Sequence, residues 1–196
     1  AGDLLLRLDA TTLQSELAVV EGQLFEILAR RARLEAERDN TALMVFSPVL
    51  LEGATPEIQT LMDGQVRLFE ARLETRKSAV EQLTQQRAQI ASQMEGISAQ
   101  QEALSTQRDL IAEELADQQS LLDRGLAQAS RVLSLQREEA RLLGTVGELT
   151  AQRAQAGERM TEIELQILGL SSARREEAIT RLRDLQFSEL ELSERR

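Results

Sequence analysis

The chain has 196 residues, a formal net charge of −10, and neither cysteine nor histidine. Lack of histidine removes the commonest general base and metal ligand, and the acidic balance argues against a general binder of nucleic acid or anionic membrane. Aromatic residues make up 2%, namely Phe25, Phe46, Phe69 and Phe187, and Leu, Ala, Glu, Gln and Arg dominate, which excludes a thick aromatic core and favours long helices joined along a seam.

Residues 1–9 differ in pattern from the rest of the chain. After the turn signal Ala1-Gly2-Asp3, the short apolar run Leu4, Leu5, Leu6, Arg7, Leu8 predicts a strand. No other stretch offers that strand a clear partner. A first helix is expected over 10–39, capped by Asp9 or Thr11, with Leu13, Leu17, Val20, Leu24, Ile27 and Leu34 on one stripe. Residues 40–55 break the pattern with Pro48 and Gly53, yet Leu43, Met44, Val45 and Phe46 are apolar. This predicts an ordered connector that packs part of itself onto the helices.

A second helix is expected over 56–124, with Thr55 as cap and Pro56 at its first position. Its seam runs Met62, Val66, Phe69, Leu73, Arg76, Val80, Leu83, Arg87, Ile90, Met94, Ile97, Gln101, Leu104, Arg108, Ile111, Leu115, Gln118, Leu122. Every step is three or four residues. The polar members cost stability and favour one register over others, and long Arg stems can lie along such a seam with their tips in water.

Residues 125–129 form the expected turn, inside the stretch LLDRGLAQAS, and a third helix is expected over 130–196. Its seam reads Leu135, Glu139, Leu142, Val146, Leu149, Arg153, Ala156, Met160, Ile163, Ile167, Leu170, Arg174, and resumes at Ala178, Leu182, Leu185, Glu189 and Leu192. The two steps of four from Leu170 to Ala178 are a stutter, which relaxes a left-handed supercoil and suggests a change from two-helix to three-helix packing. Residues 57–124 and 127–194 are equal in length. Arms of that length, about 100 Å each as helix, should fold back on each other around Gly125 as an antiparallel hairpin. The shorter first helix should add a third layer at the base. The fold class is therefore all-α: a long coiled-coil hairpin with a three-helix section, plus the N-terminal strand.

An enzyme is excluded on inventory, since no nucleophile–base pair, phosphate-cradling loop or metal-ligand spacing is present. No cofactor is implied. No apolar run approaches the ~20 residues needed to span a bilayer. The chain opens and closes inside patterned sequence, as a segment of a longer protein would.

In combination, AGDLLLRLD (1–9), VEGQLFEILARRARLEAERD (20–39), GQVRLFEAR (64–72), LLDRGLAQASRVLSLQREEARLLGTVGEL (121–149) and ERMTEIELQIL (158–168) resemble the periplasmic adaptors, or membrane fusion proteins, of bacterial type I secretion systems of the hemolysin-secretion type. The resemblance covers nearly the whole chain. It implies that residues 1–9 are the end of the first half of a split lipoyl-like domain, with the hairpin inserted between the halves. It also implies a single-pass inner-membrane protein of a Gram-negative bacterium with its hairpin in the periplasm. Such adaptors form homo-oligomers, usually hexamers, and join an inner-membrane ABC transporter to an outer-membrane channel. An exported protein substrate then crosses in one step. Nucleic acid has no part in it.

By the same resemblance the turn meets the channel, which makes Leu121, Leu122, Arg124, Gly125, Leu126, Gln128, Ser130 and Arg131 the candidate contact residues. Related efflux adaptors carry an Arg, a Leu four residues on and a Ser seven after that. Aligned on Gly125, Leu121 matches, whereas Asp117 and Gln128 depart from the Arg and Ser positions. A competing reading is a cytoskeletal or chromosome-organising rod in which the hairpin is only a spacer, although a rod has little use for a strand before its first helix. Membrane-binding amphipathic helices are disfavoured by the acidic balance and the polar seam.

Overall fold

The structure, a computed structural model, describes residues 11–53 and 55–196. The strand expected at 1–9 lies outside the described residues. Among the described residues every regular element is helical: α1 (Thr11–Asp39), α2 (Pro48–Glu52), α3 (Pro56–Asp123) and α4 (Ala129–Arg195). The chain divides into two compact units, one made of residues up to 79 together with 168–196, the other of residues 80–167.

The first unit combines α1, α2, the opening of α3 and the close of α4. Phe25, Ala29, Leu50 and Met62 form its core, with Leu28, Phe46, Ile58 and Leu61 packed against them. Of the connector's apolar residues, Phe46 and Leu50 join this packing, whereas Leu43 and Val45 stand exposed. Within the connector, Ser47 is extended, Pro48 opens α2 and Gly53 closes it. Sequence patterning does not reveal this helix, because five residues are too few to display a period. Gly53 is required for close approach, since a Cβ there would stand 3.1 Å from the Phe25 ring.

Helix ends in this unit are closed by specific groups. Asn40 takes a left-handed conformation (φ 53°) after α1, and the Thr41 N–H donates to the Ala36 carbonyl at 3.1 Å. A short polar side chain tolerates that conformation better than most. At the start of α3, the Thr55 hydroxyl accepts from the Ile58 N–H at 3.4 Å, filling one of the donors that a helix N-terminus leaves free.

A polar network crosses the same unit. Glu37 is 2% exposed and Arg33 6%. Arg33 donates to Glu37 at 2.8 Å and to Gln65 at 2.9 Å, while Arg72 reaches the other Glu37 oxygen at 3.1 Å. Arg72 also approaches Glu177 at 3.7 Å, and Arg181 pairs with the same carboxylate. One buried carboxylate therefore ties α1 to α3. Two further cations, Arg76 and Arg174, lie at predicted seam positions. Arg174 lies over the Phe69 ring, 5.7 Å from its centre.

In the second unit the α3 and α4 stretches run antiparallel. Gln101 donates to Thr150 at 2.9 Å and Arg87 approaches Glu164 at 3.8 Å. Ile97, Leu142, Leu149, Ala156 and Ile163 are buried, and Val80, Leu83, Ile90, Met94, Leu104, Ile111 and Leu115 are half-buried. Two helices shield only a stripe from water, so half-burial is the expected state of most seam residues. The seam arginines Arg87 and Arg153 stand exposed, as long stems with hydrated heads do.

The stutter in α4 falls where that helix enters the three-helix unit at residue 168. There Ser171 is half-buried, Leu170 is 37% exposed, and Ala178 is fully buried. Inward positions thus continue past the stutter on a displaced stripe. None of Gly96, Gly144, Gly147, Gly157 and Gly169 has an atom within 4 Å of where a Cβ would stand. Close packing does not account for them.

Candidate functional site at the α3–α4 turn

Five residues, 124–128, separate α3 from α4. Gly125 carries the positive φ of 71°. Its N–H donates to the Leu122 carbonyl at 2.8 Å, and the Leu126 N–H donates to the Leu121 carbonyl at 2.9 Å. This pair of bonds around a left-handed residue is the Schellman motif, which satisfies helix C-terminal carbonyls and fixes the exit direction of the chain. Arg124 folds back so that its Nε donates to the Ser120 carbonyl at 3.2 Å, setting a cation at the negative end of the helix dipole. The Gln128 carbonyl accepts from the Arg131 N–H at 3.0 Å and starts α4.

The candidate contact residues divide into three groups. Leu121 and Leu122 are half-buried and supply the carbonyls of the motif. Gly125 acts through its backbone, and Arg131 pairs with Glu114 across the turn. Arg124, Leu126, Gln128 and Ser130 face solvent, and Leu126 is 71% exposed. Asp117, at the position where related efflux adaptors carry Arg, is exposed.

Sequence reading missed two neighbours. Glu114 anchors Arg131, and Leu133, 54% exposed, extends the apolar surface one turn into α4. The seam itself resumes at buried Val132, ahead of the predicted Leu135.

Among the described residues no group of three or more Asp, Glu, His or Cys is arranged to hold a metal, and no helix is long and apolar enough to cross a membrane. Of the adjacent acids Glu113-Glu114 and Glu176-Glu177, Glu114 pairs with Arg131 and Glu177 with Arg72 and Arg181.

A family model described as AprE, long alpha-helical hairpin, matches residues 13–196. The chain is 40% identical over 197 residues to the type I secretion system membrane fusion protein PrsE of Rhizobium meliloti (strain 1021). That match covers 100% of this chain and 45% of the relative, so the chain spans a little under half of that protein. The crystal structure of the soluble domain of LipC, a membrane fusion protein of a type I secretion system, has the same fold. Its TM-score is 0.91 at 22% identity, over 99% of this chain and 92% of that one. The equal arms, the glycine-closed turn and the polar seam therefore belong together, and the chain is a member of the AprE-type family, the long α-helical hairpin of type I secretion membrane fusion proteins.

Proposed function

We propose that this hairpin is the part of a periplasmic adaptor that docks onto an outer-membrane channel, and that the α3–α4 turn makes the contact. In this reading the whole adaptor is anchored in the inner membrane, assembles as a homo-oligomer, works with an ABC transporter, and lets an exported protein pass in one step. The role is mechanical and non-enzymatic. Its support is the hairpin family together with the exposed Leu126 on a turn whose backbone is held by the Gly125 motif. A rigid turn carrying one apolar knob loses little conformational freedom on docking.

Replacing Leu126 with Asp in the complete adaptor, alone and with Leu121→Asp, tests the contact. Secretion should be lost in both variants while recovery of the adaptor with its inner-membrane transporter is unchanged. Secretion at the wild-type level from the Leu126→Asp adaptor would rule out the turn as the docking point.

A further inference from the structure

Three arginines in the first unit carry more positive charge than the neighbouring acids balance. Arg76 of α3 and Arg174 and Arg175 of α4 line a cleft of about 330 Å³ with Asn40, Ser171 and Ser172. Glu37, Arg38 and Asp39 line it too, and both acids are already engaged. Asp39 accepts from Nε and Nη2 of Arg38, each at 2.7 Å, and Glu37 is taken by Arg33 and Arg72. Arg76 donates to the Asn40 side chain, but its Nε is buried without a partner. The Nε and Nη2 of Arg174 are likewise buried with no acceptor.

Burial is the main influence that lowers the Arg174 pKa from its ordinary value. The nearby Arg76, Arg72 and Arg33 add to it, and Glu37 opposes them. Buried donors without acceptors are uncommon, and each calls for a water, an ion or a functional explanation. The Phe69 ring beneath Arg174 offers a face to the cation but no acceptor for its N–H groups.

We propose that this cleft binds one small tetrahedral oxyanion, phosphate or sulfate, through Arg76, Arg174 and Arg175 with the Ser172 hydroxyl. Three guanidinium forks from two helices present more donors than the two oxygens of a carboxylate accept, whereas a tetrahedral anion takes them from several directions. Bound there, the anion fastens α3 to α4 and, through Arg76 and Asn40, to the end of α1.

The test is calorimetric titration of inorganic phosphate into the 196-residue chain, with ionic strength held constant by chloride and sodium acetate in a parallel arm. Saturable 1:1 binding of phosphate, a thermal midpoint that rises with it, and no response to acetate are expected. Arg174→Gln should weaken binding about tenfold or more. Arg175→Gln, at an exposed position whose charge also acts on Asp39, should weaken it several-fold with the helical circular dichroism unchanged. That second variant decides the matter if Arg174→Gln does not fold. The proposal is overturned by absence of saturable binding, by acetate binding equally well, or by binding that Arg175→Gln leaves intact, which would mean an adventitious ion only.

Discussion

Gly125 and Asn40 hold the two left-handed backbone positions among the described residues, and each closes a helix. The glycine was legible in the sequence, because it stands between two patterned arms of equal length. The asparagine was not, since Asp39-Asn40 merely marks where a pattern fades. Nothing crowds a Cβ at position 125, so the cost of a side chain there is backbone strain alone. Gly125→Ala should lower stability by about 1 kcal/mol, and Gly125→Asn by less, because Asn tolerates the left-handed region. Denaturant unfolding of the two variants, read at the transition midpoint, checks the ranking. A larger change belongs to Glu37. Its removal leaves Arg33, 6% exposed, as an uncompensated buried cation, so Glu37→Ala should cost about 3 kcal/mol or more in the same measurement. That network was out of reach of sequence reasoning. Arg33 and Glu37 have the i, i+4 spacing of an ordinary surface pair, and only the arrival of Arg72 from α3 identifies them as buried.

At the level of elements, the step of three and four was sufficient to find α1, α3 and α4, because apolar periodicity reports which face meets a neighbour. It could not find α2, whose five residues owe their helical state to Pro48 and to Leu50 packing beside Phe25 and Met62. The arm glycines illustrate a different limit. Sequence leaves close packing and bending as alternatives, and the open space around Gly144 and Gly147 removes the first. Both lie within α4, where glycine costs about 1 kcal/mol relative to alanine. Gly144→Ala and Gly147→Ala should therefore each raise stability by up to about 1 kcal/mol, with the thermal midpoint as readout.

Across the whole molecule the two units are built differently. The first has a three-helix core in which Ala29, Leu50 and Ala178 are fully buried, while the second relies on a two-helix seam of mostly half-buried side chains. Local opening costs less where fewer apolar contacts must be broken. Amide hydrogen exchange should accordingly be slowest in α1 around Ala29–Ala36 and faster along residues 80–115 of α3. Peptide-resolved mass spectrometry would reveal equal protection if the seam were as firm as the core. The candidate contact residues were legible only as a group. Sequence resemblance points to the turn, but which side chains face solvent depends on the hydrogen bonds around Gly125, and those assign Leu126 outward and Arg131 to Glu114.

The hydrogen-bonded turn also bears on the order of folding. Pairing Glu114 with Arg131 closes a short loop, whereas pairing Arg87 with Glu164 closes a much longer one. Loop-closure entropy grows with the logarithm of the intervening length, so the two sides of the seam are cheapest to join first beside the turn and then outward, like a zip drawn from its stop. A seam with repeated three- and four-residue steps can also be joined a heptad out of step. A turn that fixes the Leu121 carbonyl on the Leu126 N–H selects the correct tooth before the rest close. The Gly125 turn thus favours one register of α4 against α3 beside the turn, at the point where the two sides are cheapest to join.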